Sequence, residues 1–405
     1  MNILFLSELL YPHGSGAELA SYIYADLLSK SGFNVRIVTN KFVGEEAVSK
    51  TGHLEIYRLP LFKNIENPKY YILKRIDVLL STFLRKMLKW ADVVYVPRFW
   101  FSAIPLAKAM GKPVITHVHD YIPICPLEGV YNTTKDALCK ANKFICPPEC
   151  ICSYERMANR TFKETLASVT LNSIFGSIFS RMIGLSDVII CVSEAQKSII
   201  SRTNAFPSKK LFTAYNPVPD YPELPVKSYD FGYFGGPNNL KGFQKLYHAA
   251  ISVNAVSSRP LKIHCTKILR IKKDYADLLT KTGFLLNGKL EKTKYNELYQ
   301  NILTVIVPSI WPEPWPYVVV EALIRGRFVI ASQIGGMPEQ LEGCKGVSLV
   351  EPGNVEKLKE AIIAVTNRKR EDILDLCSQN SETFHKRFSN EASLNHFIRI
   401  LESVV

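Results

Sequence analysis

Two glutamates, Glu313 and Glu321, lie eight residues apart in the segment 307-VPSIWPEPWPYVVVEALIRG-326. The apolar run before this segment predicts a strand, and Pro316 suits the first position of a helix that continues to about residue 325. Glu313 would then lie just before the helix N-terminus, beyond the carboxyl end of a strand, where open α/β sheets bind ligands. The free N–H groups of the first helical turn favour a diphosphate, and Glu321 can accept hydrogen bonds from a vicinal diol such as a ribose. The spacing therefore suits a nucleotide diphosphate joined to a polyol.

Both glutamates also have simpler interpretations, since Glu313 can cap the helix and Glu321 can lie on the surface. Three glycine-bearing turns favour the functional interpretation, because backbone N–H groups in such turns can approach a phosphate or a sugar. These turns are 14-GSGAE-18, 232-GYFGGPNNLKG-242 and 335-GGMPEQL-341. Lys241, which we expect to open a helix, can neutralise a diphosphate leaving group, or it is an ordinary exposed lysine.

The elements that must position these residues alternate between short β-rich runs and helical stretches. This alternation predicts mostly parallel sheets with helices on both faces, an α/β class. A chain of 405 residues is too long for one ordinary core, so two domains are expected. The segment 216-NPVPDYPELPVKSYD-230 holds four prolines and is typical of an extended linker. We predict domains at 1–217 and 218–388, followed by a helical segment at 389–405.

Composition restricts the partners. Lys plus Arg number 50 and Asp plus Glu 37, and this excess favours anionic partners. No nucleic-acid motif is present and the charge is spread along the chain, so no nucleic acid is expected. The N-terminus has no basic leader, and no window reaches about 18 uninterrupted apolar residues, so neither a signal peptide nor a membrane-spanning helix is expected. These features predict a cytoplasmic protein.

Residues 69–96 begin as an amphipathic helix with a basic face. Its charged residues are Lys69, Lys74, Arg75, Arg85, Lys86 and Lys89. The face is either simply solvated, or it touches anionic lipid headgroups at the inner side of the cell membrane. Tyr70, Tyr71 and Trp90 suit the second interpretation.

The motifs GSGAE, HVHD, CVSE, YNPV, YFGGPNNLKG, PSIWPEPWPYVVVEA and IGGMPEQL occur in one order along nearly the whole chain. In this order and spacing they resemble retaining glycosyltransferases of the GT-B fold, group-one type, family four. The resemblance implies two Rossmann-like doubly wound domains facing across a cleft. It also implies a nucleotide-sugar donor held mostly by the C-terminal domain, an acceptor against the N-terminal domain, and no catalytic metal. The final helix would pack back on the N-terminal domain.

The resemblance assigns roles residue by residue. Glu321 matches the ribose-binding glutamate, Glu313 the glutamate beside the reacting centre, and Lys241 the lysine on the diphosphate. Gly16 matches the glycine of the first turn, and His119 the histidine that contacts the transferred sugar. The donor-binding set implied is Gly16, Gly235, Gly236, Lys241, Trp315, Tyr317 and Glu321. Retention in such enzymes is explained by a front-face mechanism, in which the leaving phosphate deprotonates the acceptor.

Two departures from the family pattern stand out. The arginine that usually follows the glycine of the second half's first strand is replaced by Gly236, so Lys241 works alone or another cation substitutes. The usual Glu-Gly-Phe-Gly is replaced by Glu313-Pro314-Trp315-Pro316. Because proline has no N–H, only Trp315 and Tyr317 can offer backbone donors to the sugar. This implies that the sugar hydroxyls are bound differently from the family pattern.

Five cysteines follow His119 closely, within a predicted insertion at 121–155. They are Cys125, Cys139, Cys146, Cys150 and Cys152. Four thiolates near one point would hold a structural zinc. Disulfides and free thiols are the other interpretations of this spacing.

The sequence thus predicts a glycosyltransferase of hexosyl type that moves a sugar from a nucleotide-sugar donor to a glycan or lipid-linked acceptor. The alternative is a degenerate GT-B protein that binds a nucleotide sugar or glycan without turnover. A sugar-nucleotide epimerase shares the fold but lacks the spacing of Glu313 and Glu321.

Overall fold

The structure, a computed structural model, describes residues 1–63, 75–139, 148–157, 160–257, 260–268 and 272–405. The polypeptide forms two units. The first comprises Met1–Pro219 together with Phe388–Val405, and the second comprises Asp220–Arg387.

The first unit is built on an eight-stranded sheet in the order β10-β9-β6-β5-β1-β2-β4-β3, with a separate two-stranded pair β7–β8. The strands in chain order are β1 Asn2–Leu6, β2 Asn34–Asn40, β3 Val48–Thr51, β4 Leu54–Leu59, β5 Val93–Val96, β6 Val114–Val118, β7 Tyr131–Asn132, β8 Ala137–Leu138, β9 Val188–Cys191 and β10 Leu211–Thr213. All neighbours in the large sheet run parallel except β3 and β4, which are antiparallel. The carboxyl ends of the parallel strands therefore meet at one edge.

Helices connect these strands. In chain order they are α1 Gly16–Lys30, α2 Ile76–Leu79, α3 Thr82–Trp90, α4 Ala103–Ala109, α5 Pro148–Met157, α6 Phe162–Gly184 and α7 Glu194–Ser201. Among the described helices, α6 alone is long and apolar enough to cross a membrane by length and composition, with a third of its apolar window buried. Small and hydroxylated residues interrupt the apolar run of α6, so a count of uninterrupted apolar residues does not single this helix out from the sequence.

The second unit is a six-stranded parallel sheet in the order β13-β12-β11-β14-β15-β16. Its strands are β11 Asp230–Tyr233, β12 Ile263–Cys265, β13 Phe284–Leu286, β14 Ile302–Val307, β15 Phe328–Ser332 and β16 Val347–Val350. Its helices are α8 Phe243–Asn254, α9 Lys273–Lys281, α10 Lys292–Tyr299, α11 Tyr317–Ile324, α12 Met337–Leu341, α13 Val355–Thr366, α14 Arg370–Cys377 and α15 Asn380–Arg387. All six residues of β14 are buried, as expected of a central parallel strand.

The last helix, α16 Asn390–Glu402, belongs to the first unit. Leu394, Phe397 and Leu401 join the buried core that contains Phe5 of β1. The ring of Phe397 lies 4.4 Å from that of Tyr24 on α1, centroid to centroid. The helix is thus held by core packing and not by terminal contacts alone.

The alternation of strands and helices is confirmed in both halves, and two helix starts differ from expectation. Pro316 has extended backbone angles and precedes α11, so it is not the first helical residue. The helix expected to open at Lys241 begins at Phe243, because Gly242 takes the left-handed conformation just before it. Gly242 is required there, since a Cβ would lie 1.9 Å from the carbonyl oxygen of Pro308.

Candidate functional site

The loop that follows β14 is fixed by the glycine turn after β15. The N–H of Gly336 donates to the carbonyl oxygen of Glu313 at 2.8 Å. Gly335 has φ +62°, and a Cβ there would lie 2.3 Å from the same oxygen. Only glycine allows this approach without displacing the loop. The turn predicted as a third glycine motif therefore holds the Glu313 loop in position.

The carboxylate of Glu313 is buried, with 7% of its side chain exposed. One oxygen accepts a short hydrogen bond from the hydroxyl of Ser309. The other lies 3.2 Å from the ammonium of Lys241. The alternative that Glu313 caps α11 is wrong, because Pro316 occupies the cap position and the Glu313 carboxylate contacts Ser309 and Lys241 instead. Ser309 stands in the quoted motif, but the sequence indicated no role for it.

Lys241 lies in the turn after β11, and its side chain is 37% exposed. Gly235 lets this turn close, since a Cβ there would lie 2.5 Å from the hydroxyl of Tyr233 and 3.1 Å from Cβ of Lys241. Gly236 has φ +65° and approaches Lys267. The structure thus brings Gly235, Gly236 and Lys241 together beside Glu313.

Lys267, just beyond the end of β12, is a residue that the sequence did not single out. Its φ of +62° is uncommon for a side chain other than glycine. Its side chain reaches the surface, but partial desolvation lowers its pKa, the nearby Lys241 lowers it further, and Glu313 acts in the opposite direction. Lys267 makes no ion pair with any of the residues that the structure describes. A second ammonium therefore lies at the edge where Gly236 replaces an arginine.

Glu321 is buried on α11, which contradicts its interpretation as a surface residue. The hydroxyl of Tyr295 donates to one oxygen at 2.8 Å, and the Arg325 guanidinium lies 2.9 Å from the other. Burial raises the pKa of this carboxyl, while Arg325 and the Tyr295 hydrogen bond oppose the rise. Arg325 is itself held over the ring of Tyr299 at 4.5 Å. A carboxylate with two partners still has lone pairs for a diol.

Trp315 and Tyr317 flank the proline before α11. Trp315 is buried, and Tyr317, the first residue of the helix, is partly exposed. The carbonyl of Pro316 accepts a hydrogen bond from Gln340 at 3.4 Å, so α12 also contacts this loop.

The glycine turn of the first unit leads directly into α1, whose first residue is Gly16. Glu18 accepts from the backbone N–H of Ser15 at 2.6 Å and from its hydroxyl at 3.1 Å, which closes a capping box. Gly14 has φ +90°, and a Cβ there would lie 2.5 Å from the Glu18 side chain. The turn is therefore shaped around Glu18.

His119 follows the end of β6 at the same sheet edge. Its ring stacks on that of His117 with centroids 4.4 Å apart. Neither ring nitrogen of His119 has a hydrogen-bond partner in the described part of the chain. Burial holds the pKa of His119 well below its usual value, and His117 and Arg98 add to the effect. His119 is consequently a neutral imidazole at physiological pH.

The cysteine insertion is only partly described, because Cys146 lies outside the described residues. Cys125, Cys139, Cys150 and Cys152 are free thiols. Burial raises the pKa of Cys125 to about 11, although the backbone amides of Val130, Leu127 and Gly129 favour its thiolate. No group of three or more His, Cys, Asp or Glu side chains suited to a metal occurs within the described ranges.

The basic amphipathic segment is also only partly described, since Lys69, Tyr70, Tyr71 and Lys74 lie outside the described residues. In α3, Arg85, Lys86 and Lys89 are exposed, while Leu84, Met87 and Leu88 are buried. The guanidinium of Arg36 lies 4.1 Å from the ring of Trp90. Trp90 is therefore engaged with a strand of its own unit.

Two family profiles match the chain. Residues 14–220 match Glycosyltransferase Family 4, and residues 268–382 match Glycosyl transferases group 1. The first match spans half of the chain, so the protein belongs to Glycosyltransferase Family 4. It is accordingly a glycosyltransferase that uses a nucleotide sugar.

One curated protein and two solved structures illustrate what the chain is similar to. An uncharacterized 42.6 kDa protein in the cps region of Klebsiella pneumoniae is 23% identical over 84% of this chain and 87% of its own. Sucrose-phosphate synthase from Thermosynechococcus elongatus superposes with a TM-score of 0.70 at 15% identity, covering 99% of this chain and 98% of the other. Anabaena HepE in complex with UDP and glucose gives 0.61 at 16% identity over 99% of both chains. These likenesses establish the GT-B fold with its two Rossmann-like domains.

Proposed function

We propose that the protein is a retaining glycosyltransferase that transfers a sugar from a nucleotide-sugar donor to a glycan or lipid-linked acceptor. The observation that carries the proposal is the charge arrangement at the carboxyl edge of the second unit. There Lys241 contacts the buried Glu313, and Lys267 lies beside them with no acidic partner in the described ranges.

The diphosphate of the donor is assigned to Lys241, Lys267 and the N-terminus of α11. A nucleotide diphosphate carries at least two negative charges, and the N–H groups of a first helical turn favour such an anion. Lys267 would supply the cation that the family pattern places at the position of Gly236. Its left-handed backbone is the local strain often found at ligand sites.

Glu313 and Glu321 are assigned to the two sugars of the donor. Glu313 lies nearest the ammonium of Lys241, which suits the transferred sugar next to the diphosphate. Glu321, oriented by Tyr295 and Arg325, would accept the ribose hydroxyls. The front-face mechanism then needs no protein base, since the leaving phosphate takes the proton of the acceptor.

The test is turnover of the full-length protein with a panel of UDP-, GDP- and dTDP-sugars, followed by mass spectrometry and by proton NMR of the anomeric signal. A glycosylated or hydrolysed product with the anomeric configuration of the donor supports retention. An inverted product rejects that part of the proposal. Binding without any turnover would favour the degenerate binder.

We also propose that the protein is cytoplasmic and docks on the anionic inner face of the cell membrane through α3. The exposed Arg85, Lys86 and Lys89 lie opposite its buried face, as in helices that contact lipid headgroups. Sedimentation with phosphatidylglycerol vesicles tests this, with phosphatidylcholine vesicles as the control. Replacing all three by Gln should abolish co-sedimentation. Unchanged co-sedimentation of this variant contradicts the assignment.

A structural zinc near Cys125 stays a proposal, which rests on the close spacing of the five cysteines in the sequence. Elemental analysis of the purified protein should find one zinc per chain, lost in Cys125→Ser but retained in Cys191→Ser, whose thiol lies buried in β9. Absence of zinc from the wild-type protein contradicts the proposal.

A further inference from the structure

One arginine in the first unit lies among three carboxylates. Arg98 follows β5, and its Nε lies 2.9 Å from Oε1 of Glu18 and 3.6 Å from Oε1 of Glu8. A terminal nitrogen lies 3.3 Å from Oδ2 of Asp120. All three carboxylates are buried, and the arginine side chain is only 15% exposed.

Each carboxylate lies on, or just after, a different element. Glu18 closes the turn that contains Gly14 and Gly16. Asp120, the neighbour of His119 after β6, accepts from the N–H of Ile122 at 2.9 Å. Glu8 follows β1 and accepts from the N–H of Phe99 at 3.1 Å. One guanidinium therefore links the ends of β1, β5 and β6 and the start of α1.

The cluster places three buried carboxylates around one guanidinium, and burying charge is costly unless it is paired and hydrogen-bonded. Burial raises the pKa of Glu8 to about 7, Glu18 raises it further, and Arg98 lowers it. Well-packed apolar side chains would stabilise such a site at least as well. What the ionic cluster adds is a defined geometry at this edge.

We propose that Arg98 is a positioning residue, which holds the glycine turn at 14–16 and the strand end that carries His119 in one fixed arrangement. The inference rests on the proposed glycosyl transfer, for which the family resemblance assigns Gly16 and His119 of this edge to substrate contacts. The neutral His119 imidazole would then meet a sugar hydroxyl as a hydrogen-bond partner and not as a cation.

The test compares Arg98→Met and Arg98→Lys in the full-length chain, with the exposed Arg202→Met as the matched control. The probes are the UDP-, GDP- and dTDP-sugars that bind the wild-type protein. Because misplacing reacting groups by about 1 Å can cost about 100-fold in rate, Arg98→Met should lower donor turnover by about that factor. Donor Kd should change much less, since Lys241, Lys267 and Glu321 remain. Arg98→Lys should recover part of the rate, since one ammonium reaches fewer carboxylates.

A second readout does not depend on turnover. Histidine-selective NMR should show one ring signal for His119, assigned by its loss in His119→Asn, which moves or splits in Arg98→Met but not in Arg202→Met. If Arg98→Met fails to fold, Glu18→Gln replaces it, because glutamine preserves the capping box and removes the ion pair. Wild-type turnover and an unmoved His119 signal in the variant overturn the proposal. A moved signal in a protein that binds no nucleotide sugar would instead reject the proposed function and keep the positioning role.

Discussion

The carboxyl edges of the two sheets handle charge in opposite ways. In the first unit, Glu8, Glu18 and Asp120 surround Arg98, and the cluster is closed by internal ion pairs. In the second unit, Lys241 and Lys267 exceed what Glu313 can neutralise, and both reach the surface. The same strand arrangement thus gives two kinds of edge. The edge of the first unit, called the closed edge, fixes the positions of its side chains, and the edge of the second unit, called the open edge, attracts an anion. Substitutions at each edge should therefore fail in different ways.

The largest effect is expected at the open edge from Glu313→Gln. Loss of a buried charge beside the reacting sugar should lower kcat by about 1000-fold, the upper range for removing one electrostatic group from an active site. Donor Kd should change little, because Lys241 and Lys267 remain. Steady-state turnover of the variant is compared with that of Glu371→Gln, an exposed glutamate of the same unit. Equal kcat for both variants would show that Glu313 takes no part in the reaction.

In the first unit, Glu8→Gln should change how the free energy of unfolding depends on pH. Because the pKa of Glu8 rises from 4.5 to about 7 on folding, the folded chain binds more protons between these values. Stability contributed by this group is therefore present at acidic pH and lost as pH rises from about 4.5 to about 7. The loss amounts to roughly 3 to 4 kcal/mol, from about 1.4 kcal/mol for each pKa unit.

Glutamine mimics the protonated form, so this variant should lack that loss. Urea unfolding at pH 5.5 and pH 8 measures this pH-dependent loss of stability. The control is Glu46→Gln, which changes an exposed residue of the same unit. The stability of Glu8→Gln relative to wild type should be greater at pH 8 than at pH 5.5. If the stability difference between Glu8→Gln and the wild type is the same at both pH values, Glu8 does not titrate between them as expected.

Lys267→Met should weaken the donor Kd by about 10- to 100-fold, since a hydrogen bond to a charged group contributes roughly 1.5–3 kcal/mol. Lys262→Met is the matched control, because it precedes the same strand at the opposite edge of the sheet. Isothermal titration with the preferred donor measures both variants. If Lys262→Met weakens donor binding as much as Lys267→Met, the loss of affinity comes from the change in net charge and not from a contact at the site.

The smallest effect is expected from Tyr295→Phe, which removes one hydrogen bond to Glu321. Donor affinity should fall about fivefold, in line with about 1 kcal/mol for a single hydrogen bond. Tyr247→Phe, on α8, provides the control. A loss as large as that of Lys267→Met would mean that Tyr295 touches the donor directly.

The sequence predicted those parts of the site that are local. The strand, loop and helix around Glu313 and the glycine turns lie within short segments, where proline and glycine restrict the backbone. The Arg98 cluster was missed because Glu8, Arg98 and Asp120 are far apart along the chain and meet only where parallel strands end. Lys267 could not be predicted as a site residue, since nothing in the sequence indicates that this lysine takes a left-handed backbone conformation.

Two further misses have local causes. The antiparallel pair β3–β4 escaped notice because VSKT is short and mostly exposed and lacks the apolar alternation of a half-buried strand. The start of α8 was placed too early because Lys241 was expected to open the helix, whereas the left-handed Gly242 delays it by two residues.

The central claim is that the open edge of the second unit binds a nucleotide sugar. Saturation-transfer NMR of the purified protein against UDP-, GDP- and dTDP-sugars tests it most directly, with Glu321→Ala as the site variant and Glu371→Ala as the control. The account predicts saturation of the ribose and base protons of one nucleotide, lost in Glu321→Ala and kept in Glu371→Ala. Equal saturation in both variants, or none with any nucleotide in the wild-type protein, would contradict it.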